Sequence, residues 1–187
     1  RYSTCLLQLK GTVLVTLHTR TRNIALVSLT VALTTAGAWL RFPAGPVPIS
    51  LQTLLVLLSG VTLGPRLGAT AMGAYIALGL MGLPVFASGG GPGYLLSPSF
   101  GFLLAFPMAS FITGWVCGAP NNQERIRPAR LACALAAGTA VIYLTGIPWL
   151  GLNLMLIQGK TLGLGPLLLM GMVPFLPGDL VKIILAF

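Results

Sequence analysis

The chain has 187 residues, 56% of them apolar and 7% charged, with a mean hydropathy of +0.93. A water-soluble domain carries about a quarter charged residues, so this composition leaves too little polar surface for a soluble enzyme. The charge is lopsided, eleven Lys and Arg against Glu124 and Asp179 for a net +9. The cations are nevertheless scattered between long uncharged runs rather than gathered on the basic face that nucleic acid requires.

Residues 1 to 22 form a basic, Thr-rich, acid-free lead. Its apolar run, Val13 to Leu17, falls short of the roughly 20 residues that cross a bilayer. It also lacks the small-residue cleavage pattern of a secretory signal. The lead reads as a cytoplasmic segment that helps fix orientation. Apolar, nearly charge-free runs then predict crossings from about Asn23 to Leu40, Leu51 to Leu63, Leu67 to Leu83, Gly101 to Cys117 and Leu131 to Leu150. The second run, about 13 residues, reaches only ~20 Å as a helix, so it must borrow flanking residues, tilt or meet a thin bilayer. The last region, Leu162 to Phe187, holds Pro166, Pro174 and Pro177 among several glycines, which argues against one straight helix. It reads as an irregular approach followed by a final helix that starts near Pro177. The chain opens on Arg1 rather than Met and closes at Phe187 within an apolar run, so either end is open to continuation. The predicted fold is all-α, a polytopic membrane protein with a basic lead (1–22) and one six-helix domain (23–187).

Short loops rich in Lys and Arg stay on the cytoplasmic side. With the N-terminus inside, eight cations fall on inner segments, and only Arg41 and Lys160 fall on outer ones. Both termini are therefore expected on the cytoplasmic side of the cell (inner) membrane. The Pro/Gly-rich connections 42–50 and 84–98 are expected outside.

Little in the chain supports catalysis. His18 is the single histidine and sits in the basic lead, and Cys5, Cys117 and Cys133 lack metal-site spacing. No Gly-x4-Gly-Lys-Ser/Thr phosphate loop is present, so uphill transport would draw its energy from a partner or an ion gradient. No cofactor is expected. The strongest chemical signal is Asp179 with Lys182, three residues apart on the final helix. Ionisable groups within membrane segments are costly unless paired or hydrated, and they mark functional positions. The plain alternative is a salt bridge that only caps that helix. Gln52, behind the stiff Gly45-Pro-Val-Pro-Ile-Ser sequence, offers both a donor and an acceptor. In Ala87-Ser-Gly-Gly-Gly-Pro-Gly-Tyr94, Gly90 and its neighbours permit close backbone approach, and Tyr94 supplies an amphipathic wall. These residues fit a ligand site under a loop, or merely a flexible linker with an interfacial Tyr. Ser28, Ala32 and Ala36 form a small-residue stripe suited to close helix packing, within the chain or against a partner.

Four stretches together resemble one family: Gly45-Pro-Val-Pro-Ile-Ser-Leu-Gln-Thr53, Leu63-Gly-Pro-Arg-Leu-Gly68, Gly79-Leu-Met-Gly-Leu-Pro-Val-Phe86 and Pro174-Phe-Leu-Pro-Gly-Asp-Leu-Val-Lys182. They are similar in order and spacing, from about residue 24 onward, to the BioY family of biotin-binding S components of energy-coupling factor (ECF) transporters. The resemblance implies six membrane helices, biotin captured from outside beneath loops one and three, and partnership with a transmembrane coupling protein and two ATPase subunits. It implies biotin contacts at Asp179 and Lys182, beside which Gln52, Gly90 and Tyr94 are expected as substrate-binding residues, and coupling-protein contacts at Ala32 and Ala36. The chain departs from the family at Ser97-Pro-Ser-Phe-Gly-Phe102, where the usual pattern is Gly-Pro-Thr-Gly-Gly-Tyr. Other readings are an S component or facilitator for another small carboxylate vitamin, a structural membrane subunit without a ligand, and an intramembrane enzyme. The poor catalytic set disfavours the enzyme.

Overall fold

The computed structural model describes residues 2–42, 47–118, 127–159 and 163–173. Within them the chain forms α1 (Tyr2–Trp39), a ribbon of β1 (Arg41–Phe42) and β2 (Ile49–Ser50), α2 (Gln52–Leu80), α3 (Phe100–Leu104), α4 (Phe106–Cys117), α5 (Pro128–Gln158) and α6 (Leu164–Gly171). The ribbon is antiparallel, pairing Arg41 with Ser50 and Phe42 with Ile49. Everything else of regular structure is helical, and the architecture is all-α.

The helix that carries the first apolar run does not begin at Asn23. α1 is continuous for 38 residues, about 57 Å at 1.5 Å per residue, so the basic lead from Tyr2 and the apolar run share one rod.

α2 turns back on itself. Gly64 has φ 79 and ψ 175 and is followed by Pro65; the first is a conformation glycine tolerates best, and the second removes a helical donor. A Cβ on Gly68 would lie 2.9 Å from the Ser59 carbonyl, and Gln52 bonds to Tyr75. Residues so far apart in sequence meet only if the arms 52–63 and 65–80 run antiparallel. The predicted second and third apolar runs are thus the two arms of a helical hairpin. The predicted run from Gly101 divides into α3 and α4 around Ala105, where Pro107 in the first turn of α4 cannot donate back to the preceding turn.

α4 packs into the α2 hairpin at near backbone contact. A Cβ on Gly60 would strike the Ser110 carbonyl, and one on Gly114 would lie 2.6 Å from the Gly60 carbonyl and from Pro65 N. Ser59 and Ser110, both buried, share a 2.8 Å hydroxyl bond in this seam. The fully buried Thr34 and Thr113 bond back to their own helices, as membrane-buried hydroxyls commonly do. Among the described residues no buried side-chain polar atom lacks a partner.

The outside of the bundle is as apolar as the inside. Leu33, Met108, Trp115, Leu144, Met155 and Leu156 all stand well exposed, a surface that suits lipid rather than water. α5 is long and apolar enough to cross a bilayer.

Charge separates the two ends. Arg66 follows the Gly64 turn, which abuts Gly114 near the end of α4, and Arg130 there donates to the Val116 carbonyl at 2.9 Å. At the opposite end the Leu51 N–H bonds to the Leu40 carbonyl, and the Trp39 indole bonds to the Pro84 carbonyl at 3.2 Å. Among the described residues, Arg41 is the one Lys or Arg at this second end.

Candidate functional site

The end that carries the β ribbon holds a cavity. Val47, Pro48, Ser50, Gln52 and Thr53 form one wall, where the β ribbon enters α2. Ala87, Tyr94 and Ser99 cover it from the connection between α2 and α3, Phe102, Leu103 and Phe106 form its apolar side, and Thr139, Ile142 and Tyr143 of α5 close it. The space between these residues, open mouth included, is about 600 Å³.

Gln52 is 3% exposed and occupies the first position of α2. Its Nε2–H donates to the Tyr75 hydroxyl at 2.8 Å, and that hydroxyl donates to the Val85 carbonyl at 2.7 Å. Two bonds therefore join both arms of α2 to the covering connection. Gln52 keeps a second N–H and an amide oxygen to offer. Below the connection, Phe86 meets Tyr75 edge-on with ring centroids 5.5 Å apart and lies 4.6 Å from Tyr94, an aromatic stack that fixes Tyr94 over the cavity.

Gly90 lies outside the lining. Any Cβ there would run into the Leu83 carbonyl, and the adjacent Gly91 N–H donates to the Gly79 carbonyl at 2.7 Å. Its glycine character is what lets the covering segment rest on the end of α2.

The departure at residues 97–102 builds a hydroxyl chain. Ser99 Oγ lies 3.2 Å from the Tyr94 hydroxyl and 2.8 Å from Ser97 Oγ. The Trp149 indole N–H donates to the Ser97 carbonyl, and Asn153 Nδ2 donates to the Leu96 carbonyl at 2.7 Å, pinning this segment to α5. Phe100 packs on Trp149 with centroids 5.7 Å apart. Gly146 leaves room for the Phe102 ring.

The described lining is apolar, with uncharged hydroxyl and amide groups and no acid or amine. It suits a small ligand with a hydrocarbon body and a few hydrogen-bonding points. Asp179 and Lys182 lie outside the described residues. Ala32 and Ala36 are both exposed on α1, in line with exposed Ser28. Thr139 and Tyr143 line the cavity although no sequence motif marks them. Their i, i+4 spacing in an apolar helix, with Ile142 between, puts them on one face, and that pattern was open to view. No group of metal-binding side chains occurs among the described residues.

Residues 10–187 match the BioY family. The chain belongs to the BioY family. The match reaches into the basic lead, beyond the stretch from residue 24 that the motifs marked. Among BioY proteins, the biotin transporter of Rhodobacter capsulatus is 39% identical over 177 residues, covering 87% of this chain and 88% of that one. The biotin transporter of Thermotoga maritima is 34% identical over 166 residues, covering 88% and 91%. In structure, the S component for biotin from an ECF-type ABC transporter, solved by crystallography, superposes with a TM-score of 0.76 at 28% identity, over 90% of this chain and 88% of that one.

Proposed function

We propose that this chain is the biotin-binding S component of an ECF-type transporter and takes up biotin across the cell membrane. The observation that carries the reading is the cavity at the ribbon end, walled by the Gln52 segment and covered by the Tyr94 segment, in a chain of the BioY family. Biotin combines an apolar thioether ring and chain with a ureido group and a carboxylate, and the lining offers apolar walls with neutral donors and acceptors. Within this proposal the chain crosses the membrane six times, with the basic lead and both termini in the cytoplasm, the side that holds Arg66, Arg127 and Arg130. Asp179 and Lys182 complete the site, Gln52 serves it from the start of α2 and Tyr94 from the covering segment, and Gly90 lets that segment seat. The protein binds and moves its ligand rather than transforming it. A transmembrane coupling protein docks on Ala32 and Ala36, and two ATPase subunits supply the energy.

The detergent-purified chain should retain labelled biotin, and Asp179→Asn or Lys182→Ala should reduce retention by at least tenfold. No retention by the unaltered chain would remove the functional reading, and full retention by both variants would remove that pair from the site. Separately, Ala32→Trp and Ala36→Trp should leave biotin binding intact and diminish co-purification with the coupling protein. Undiminished co-purification would place the docking surface elsewhere.

A further inference from the structure

A second recess lies beside the cavity, outside the covering segment. It is formed by Trp39 and Arg41 from the end of α1 and its ribbon, and by Pro84, Phe86, Ala87 and Ser88. Ala87 lines both spaces, so a single stretch of backbone divides them. Across the recess, an Arg41 guanidinium N–H donates to Ser88 Oγ at 3.0 Å. A guanidinium has five N–H donors and binds carboxylates as a planar fork, and a neutral hydroxyl uses only part of that capacity. The neighbouring Trp39 ring is 65% exposed and offers an apolar surface beside the charge.

We infer that this recess is an encounter site for the carboxylate of a small amphipathic acid, held by Arg41 before the ligand passes Ala87 into the cavity. The incoming carboxylate takes the guanidinium from Ser88, exchanging a neutral-acceptor bond for a stronger charge-assisted one. That exchange undoes the side-chain tie between the ribbon and the covering segment at the moment a ligand arrives. Arg41 thereby sets the rate of association more than the final affinity, as charges at a site entrance generally do. The inference rests on biotin, or a similar acid, being the ligand.

The test is the association rate of biotin with the full-length purified chain, followed by tryptophan fluorescence at low and at about 0.5 M salt. The unaltered chain should bind biotin faster at low salt. Arg41→Gln should slow association about 3–10-fold at low salt, with the difference vanishing at high salt where the field is screened. Arg41→Lys should restore most of the rate. Biotin methyl ester, which lacks the carboxylate, should bind the unaltered chain slowly and with little salt response, a readout that needs no variant. Arg41→Gln with an unaltered rate and salt response, or the ester associating as fast as the acid, would overturn the encounter site while leaving the proposed function standing. Failure of the unaltered chain to bind biotin would overturn both.

Discussion

Gly60→Ala is expected to lower the temperature at which the solubilised chain loses biotin binding. The new Cβ would strike the Ser110 backbone carbonyl, which cannot swing aside as a side-chain tip can. Nor can α4 retreat freely, because Gly114 rests on the Gly60 carbonyl and on Pro65, and the Ser59–Ser110 bond lies in the same seam. Overpacking of this kind costs about 1–3 kcal/mol, and more where backbone must move. The internal control is Gly73→Ala, in the second arm of the same helix. Gly73 is exposed, and a Cβ there meets nothing within 4 Å, so the helix gains the propensity advantage of Ala, about 1 kcal/mol. The two substitutions should shift thermal inactivation in opposite directions. Equal shifts would mean that the α2–α4 seam is looser than its geometry shows.

Gln52→Leu is expected to weaken biotin binding about 10–100-fold, measured by equilibrium binding. The substitution removes an amide from the cavity wall and takes the Nε2–H from the Tyr75 hydroxyl, and an unmet buried polar group costs about 1–3 kcal/mol. Tyr75→Phe separates the two effects. Tyr75 does not line the cavity, but its hydroxyl joins Gln52 to Val85, so its loss removes one tie on the covering segment while leaving the lining side chains in place. Faster biotin dissociation from Tyr75→Phe is expected. Dissociation at the unaltered rate would assign the Gln52 effect entirely to ligand contact.

Much of the fold was legible because a bilayer imposes simple arithmetic on sequence. Uncharged apolar runs located α5 and both arms of α2, and the Gly64-Pro65 dipeptide between Leu63 and Leu67 marked the turn. The continuity of α1 through Asn23 was not legible. Hydropathy detects length of apolar sequence, whereas a helix needs only unbroken backbone bonding, and nothing in the Thr-rich lead interrupts that. The division at Ala105 was missed for a related reason: Pro107 sits in a run whose hydropathy is uniform. In the candidate site, Gln52 and Tyr94 stood out as polar residues beside loops. Thr139 and Tyr143 lie inside a long apolar helix, where single polar residues read as tolerated exceptions until the facing elements are known. Gly90 showed the reverse case, a conspicuous residue whose close approach is to the end of α2.

α1 links the covering segment to a helix face that runs well away from the cavity. Its last residue, Trp39, is bonded to the Pro84 carbonyl of the covering segment, and one and two turns back its exposed surface carries Ala36 and Ala32. No break interrupts the helix between these points or for the rest of its 38 residues. An unbroken helix behaves as a stiff lever, so a tilt imposed at Trp39 by the covering segment reappears, without relay through side chains, along the whole face that carries the two alanines.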